Sequence, residues 1–66
     1  MGISTKAIEK AAANLGLSGR GIAREAGVSY VTVQKYRRGN VKNYNPVTLK
    51  KIADALHVKA ETLLAE

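Results

Sequence analysis

Apolar residues recur along this chain at helical spacing, and polar turn formers separate the runs. Ile8, Ala11, Ala12 and Leu15 fall at i, i+3, i+4 and i+7, with Ile3, Ser4 and Ala7 leading in. Such a set makes the buried stripe of an amphipathic helix. Ser4 or Thr5 can cap its start, and Gly16 suits the left-handed position just past its end. Ser18 can cap a second helix that runs to Ala26, is closed by Gly27, and buries Ile22, Ala23 and Ala26. Gly19 and Gly21 weaken its first turn by up to about 1 kcal/mol each relative to Ala.

After Val28 a third cap, Ser29, opens a helix over Tyr30 to Arg38, with Val33 and Tyr36 inward and Gly39 as its stop. Residues 39–45 are rich in turn formers and read as a loop. Asn45-Pro46 is a good helix start, because proline loses nothing at the first helical position. Leu49, Ile52, Ala53 and Leu56 then repeat the i, i+3, i+4, i+7 set, and a short helix over 60–65 can lay Leu63 and Leu64 on the core. No strand-like alternation interrupts the series. The pattern predicts an all-α, compact five-helix bundle.

Length narrows this further. Sixty-six residues bury only about 60% of the surface of the unfolded chain, enough for one small core, so residues 1–66 are expected to form a single domain. The absence of cysteine excludes a disulfide framework and favours a cytoplasmic setting. No apolar run approaches the roughly 18 residues of a membrane span, so no membrane partner is expected.

Charge changes the picture more than size does. The chain carries eleven Lys+Arg against five Asp+Glu. Lys35, Arg37, Arg38, Lys42, Lys50 and Lys51 lie between Ala26 and Ala53 with no acidic residue among them. Outside that window Lys6, Lys10, Arg20, Arg24 and Lys59 are matched by Glu9, Glu25, Asp54, Glu61 and Glu66. The whole net charge of +6 therefore sits in residues 26–53, together with Tyr30, Tyr36 and Tyr44. Concentration of cations on one stretch points to a polyanionic partner.

The two central helices carry the sharper signal. A short helix, a glycine-led turn and a serine-capped second helix form the layout of a helix-turn-helix. Ala23 is small where the helices must cross, Gly27 takes the turn, and Ile22, Val28, Val33 and Tyr36 fill the wedge. With Ile22-Ala23, Gly27-Val28-Ser29, Thr32-Val33 and Tyr36-x-Arg38-Gly39 at these spacings, the chain resembles the phage repressor and Cro type of helix-turn-helix protein. Residues 48–56 resemble the fourth helix of that family. The segment from Ala26 to Val33 is also similar to the lac repressor headpiece family.

The resemblance implies sequence-specific binding of double-stranded DNA, with a recognition helix over 30–38 in the major groove. Carried over position by position, the base-facing residues are Tyr30, Val31, Gln34, Lys35 and Arg38. Gln34 can bond an adenine edge and Lys35 can donate to guanine, while Val31 suits a thymine methyl group. Ser18, Gly19, Arg20, Ser29, Thr32, Asn40, Lys42, Asn43 and Tyr44 are candidates for phosphate contact. Four positions depart from the family. Gly19 stands where Gln or Thr is usual. Arg37 replaces a frequent Glu, which is expected to exchange an internal ion pair for one more phosphate contact. His57 and Lys59 replace Gly and a Ser or Asp cap, so the last helix is expected to fray.

Individual residues also have plain structural roles. Tyr36 is read as core, Lys50 and Lys51 as the solvated face of the fourth helix, and His57 as a helix-end residue rather than a metal ligand. One histidine, no cysteine and scattered carboxylates supply no acid–base pair and no metal cage. No catalytic residue, metal, cofactor or small-molecule ligand is expected. Two other functions fit the same sequence: an antitoxin or adaptor that docks protein through its helix-turn-helix, and non-specific coating of nucleic acid. A monomer on DNA is preferred over a homodimer, since only the neighbourhood of Val58, Leu63 and Leu64 offers an interface. The small size would also suit a designed DNA binder; a natural one would be a nucleoid-associated regulator.

Overall fold

A computed structural model describes residues 2–41 and 43–64. Four α-helices follow one another: α1 (Thr5–Leu15), α2 (Gly19–Ala26), α3 (Tyr30–Arg38) and α4 (Pro46–Ala55), then a 3-10 turn over Ala60–Leu63. The first three helices start on an expected serine cap, and α4 starts at Pro46 behind a side-chain cap from Asn45. Ser4, Ser18 and Ser29 accept through Oγ from the amides of Ala7, Gly21 and Thr32, and Asn45 accepts through Oδ1 from Val47. These bonds satisfy amides that the first turn leaves without a carbonyl.

All four helices end in the same way. The amides of Leu17, Val28, Asn40 and Val58 reach back five residues to the carbonyls of Ala12, Ala23, Lys35 and Ala53. This closure needs a left-handed residue just before the donor. Gly16, Gly27 and Gly39 fill it in the first three helices, and His57, at φ 59°, fills it in the fourth. A histidine is held there because Leu56 and Val58 on either side pack against the core.

α2 packs on both α3 and α4, α1 packs on α3, and the 3-10 turn closes against α4 and α1. Ile8, Ile22, Val33, Ile52, Leu56 and Leu63 are fully buried where these elements meet. Ala23 is buried, as the close approach of α2 requires. Tyr36 is core, and its Oη accepts from the amide of Asn45 at 3.2 Å. That bond ties the loop before α4 to α3.

Three expectations are corrected. The five-helix bundle is four α-helices and a single 3-10 turn. Lys59 offers no side-chain acceptor at the cap of that turn, and Leu64 leaves it in an extended conformation to bridge Ile3. The amide of Ser4 donates to the carbonyl of Leu63 at 2.7 Å, so pairing with the N-terminal segment replaces further helix. Residue 65, the predicted end of that helix, lies outside the described residues. Leu15 is not core but 42% exposed. At this end of α1 the segment around His57 and Thr62 of the 3-10 turn stand opposite across an open groove of about 540 Å³, which Ala11, Leu15, Leu56 and Val58 also line. Ala26 is half-buried rather than buried.

Candidate nucleic-acid interface

The geometry of α3 decides which of its side chains can reach a ligand. Successive residues turn by about 100° around a helix axis. Val33 and Tyr36 point into the core, which puts Val31, Gln34, Lys35 and Arg38 on the opposite arc and Tyr30 at its edge, on the side of Arg37. Tyr30 and Val31 are 39% and 62% exposed; Lys35 and Arg38 are exposed and Gln34 is half-buried. Four of the residues predicted to face bases share one outward stripe, and Tyr30 stands at its edge. Arg37 and Thr32 fall on its two flanks and are half-buried.

The flank carrying Arg37 turns towards the start of α2. The ring of Tyr30 lies beneath the guanidinium of Arg20, 4.9 Å from Cζ to the ring centroid. Gln34 Nε2 donates to Tyr30 Oη at 2.9 Å. Arg37 Nη2 donates to Glu9 Oε1 of α1 at 3.3 Å, while its Nε is buried without a hydrogen-bond partner. Gly19 sits among these groups: a Cβ there would meet Arg37 Nη1 at 2.8 Å, Tyr30 Cε1 at 3.1 Å and Gln34 Oε1 at 3.6 Å. Glycine at the head of α2 is thus a matter of space, taken up by side chains arriving from α3.

The internal ion pair expected to be lost is present in a different form. Arg37 is held by Glu9 across 28 positions of sequence, with its guanidinium beside the first turn of α2 rather than extended into solvent. Both partners are partly exposed, with side-chain exposures of 29% for Arg37 and 59% for Glu9, so water screens the pair and its worth is at most about 1 kcal/mol.

The other predicted contacts lie around this stripe. Ser18, Arg20 and Ser29 are exposed and Gly19 is buried. Ser29 and Thr32 bond to each other through their hydroxyls at 2.8 Å, which leaves one hydroxyl hydrogen of the pair for an outside acceptor. Asn40 and Asn43 are exposed, and Tyr44 is half-buried against the core. Lys42 lies outside the described residues. Lys50 pairs with Asp54 at 3.4 Å on the solvated side of α4.

Sequence reasoning missed Glu9 as a partner of Arg37 and missed the link from Arg20 through Tyr30 to Gln34. The i, i+4 spacing of Tyr30 and Gln34 was a signal for the second. Nothing local could signal the first.

The arrangement is a short helix with a polar and cationic outer stripe, set by a glycine turn against a second helix whose N-terminal end is beside it. A family model described as helix-turn-helix matches residues 8–63. The chain belongs to this helix-turn-helix family, whose members are generally DNA-binding transcription regulators. Among curated proteins and among solved structures nothing matches it. No helix among the described residues is long and apolar enough to cross a membrane.

Proposed function

We propose that this protein binds double-stranded DNA sequence-specifically, laying α3 in the major groove, and that it acts as a transcription regulator. The observation that carries this reading is the outward stripe of α3. Its members Val31, Gln34, Lys35 and Arg38, with Tyr30 at the edge, hold hydrogen-bonding, cationic and methyl-matching groups, and these four oppose the buried Val33 and Tyr36. A helix of this width fits the major groove, where each base pair presents a distinct pattern of donors and acceptors.

Gln34 reads adenine, Lys35 and Arg38 donate to guanine or phosphate, and Val31 packs on a thymine methyl group. Phosphates on either side are met by Ser18 with the amides of Gly19 and Arg20, by Ser29 and Thr32, by Arg37, and by Asn40, Lys42, Asn43 and Tyr44. These contacts set register and carry no sequence information. The binding unit is the monomer. Support comes from the C-terminal segment, where Leu63 is fully buried and Leu64 pairs with Ile3, which leaves Val58, on the rim of the open groove, as the remaining part of the expected interface.

Selection from random duplex DNA, followed by fluorescence polarisation across salt, tests the reading. A motif without two-fold symmetry is expected, with a log–log salt slope near −5 for about six neutralised phosphates. Specific duplex should bind at least about a thousandfold more tightly than random duplex. Equal affinity for all duplexes would leave only non-specific coating. No affinity for DNA would favour a protein-docking role.

A further inference from the structure

Tyr30 and Gln34 stand four residues apart on α3 and are joined by a hydrogen bond of 2.9 Å, in which Gln34 Nε2 donates and Tyr30 Oη accepts. The tyrosine ring is itself held on two sides. Arg20 covers one face at 4.9 Å, and the backbone of Gly19 comes so close that a Cβ would lie 3.1 Å from Cε1. An exposed tyrosine normally samples several rotamers, and here packing from α2 narrows that freedom.

The bond has a chemical consequence for recognition. A free glutamine amide offers two N–H donors and one carbonyl acceptor. With both donors available it can face guanine, whose major-groove edge is two acceptors, or turn to face adenine, whose edge is one acceptor and one donor. Once Tyr30 Oη occupies one N–H, a single donor and the Oε1 acceptor remain, and that pair is complementary to adenine alone. We propose that Tyr30 is a positioning residue that fixes the hydrogen-bonding polarity of Gln34 and so makes it an adenine-selective reader. The proposal rests on the DNA-reading role given above and specifies one base of the target. It also gives the Tyr30 hydroxyl a different task from direct base contact: its hydrogen is left to donate outward, while its oxygen holds Gln34.

Two measurements on the full chain test this. In the free protein, the side-chain carboxamide of Gln34 is followed by ¹⁵N–¹H spectroscopy in the wild type and in Tyr30→Phe. One of its two protons should be shifted and slowed in exchange in the wild type, and both should resemble free glutamine in the variant. Two protons with the shifts and exchange rates of free glutamine in the wild type would overturn the proposal without any reference to DNA.

The second measurement uses the motif selected by the wild type. The position whose preference vanishes in Gln34→Ala is identified, and the four base pairs at that position are compared with wild type and Tyr30→Phe. Wild type should favour adenine over guanine by roughly 5- to 150-fold, the range of a good bidentate contact. Tyr30→Phe, which keeps the ring and its stacking with Arg20, should bring the two within about threefold with an unchanged salt slope. Guanine at that position, an adenine preference that survives in Tyr30→Phe, or a motif indifferent to Gln34 overturns this inference while leaving DNA reading intact. Failure to select any motif overturns the DNA reading itself, and the inference with it.

Discussion

Arg37 Nη1 lies 2.8 Å from the place a Cβ on Gly19 would occupy, so the first residue of α2 and the penultimate residue of α3 share one side-chain volume. Glu9 holds Arg37 in it. Three helices are thereby coupled at one point on the edge of the proposed DNA face.

Gly19→Ala should displace the guanidinium, since the far end of an arginine yields more readily than backbone. The gain in helix propensity, up to about 1 kcal/mol, and the loss of a partly exposed ion pair, also about 1 kcal/mol or less, nearly offset. Net stability should change by under about 1 kcal/mol. The diagnostic is coupling measured by urea denaturation. Glu9→Gln should cost about 0.5 kcal/mol in the wild type and nothing measurable in Gly19→Ala. Equal costs in both backgrounds would refute the shared volume.

Leu63 is fully buried although it belongs to a single 3-10 turn. Truncation to alanine should cost about 2–5 kcal/mol. A domain of this size has only about 3–10 kcal/mol in total, so Leu63→Ala should be largely unfolded near 37 °C by circular dichroism. A melting temperature within a few degrees of wild type would mean that the C-terminal segment adds little to the core.

His57 takes the left-handed closure of α4 at φ 59°, where a side chain crowds the following carbonyl at a cost of roughly 1–2 kcal/mol. His57→Gly removes that strain but frees the unfolded chain, which returns about 0.4–1 kcal/mol. A net gain of about 0.5–1 kcal/mol is expected, or several degrees in Tm. A lower Tm would show that the histidine side chain contributes contacts worth more than the strain.

Tyr36→Phe keeps the buried ring and removes the acceptor for the Asn45 amide. About 1 kcal/mol of stability should go with it. Hydrogen exchange at Asn45 should accelerate more than in the middle of α3, and affinity for all duplexes should fall alike as the loop before α4 loosens. Unchanged exchange at Asn45 would mean that the loop is held by other contacts.

Lys35 is exposed on the outward stripe, whereas Lys50 pairs with Asp54 on the solvated side of α4. Lys35→Ala should relax preference at one base pair by roughly 1–3 kcal/mol. Lys50→Ala should leave the selected motif unchanged. Loss of preference in the Lys50 variant, or none in the Lys35 variant, would place the reading surface elsewhere.

Helix positions were legible in the chain itself, because capping and periodicity are local. Ser18, Ser29 and Asn45 each bond an amide two or three residues away, and glycines at 16, 27 and 39 end helices within one turn. The outer stripe of α3 was legible through the resemblance, which implied Tyr30, Val31, Gln34, Lys35 and Arg38; with Val33 and Tyr36 inward, helical geometry agrees for Val31, Gln34, Lys35 and Arg38 and puts Tyr30 at the edge. The +6 charge in residues 26–53 and the helix-turn-helix sterics were equally present in the sequence.

Tertiary structure alone decided what those elements do to one another. Whether Leu15 is covered depends on how closely the segment around His57 and the 3-10 turn approach α1, and whether residues after Lys59 coil or extend depends on the backbone of Ile3 available to Leu64. Glycine at position 19 looked like a weakened helix start; only the arrival of Arg37, Tyr30 and Gln34 from α3 shows that the space its side chain would take is shared with theirs. The Glu9–Arg37 pair spans 28 residues and has no local signature. Periodicity specifies which way a side chain leaves its own helix, whereas its partner is set by the packing of separate helices, an outcome of the whole chain burying its apolar surface at once.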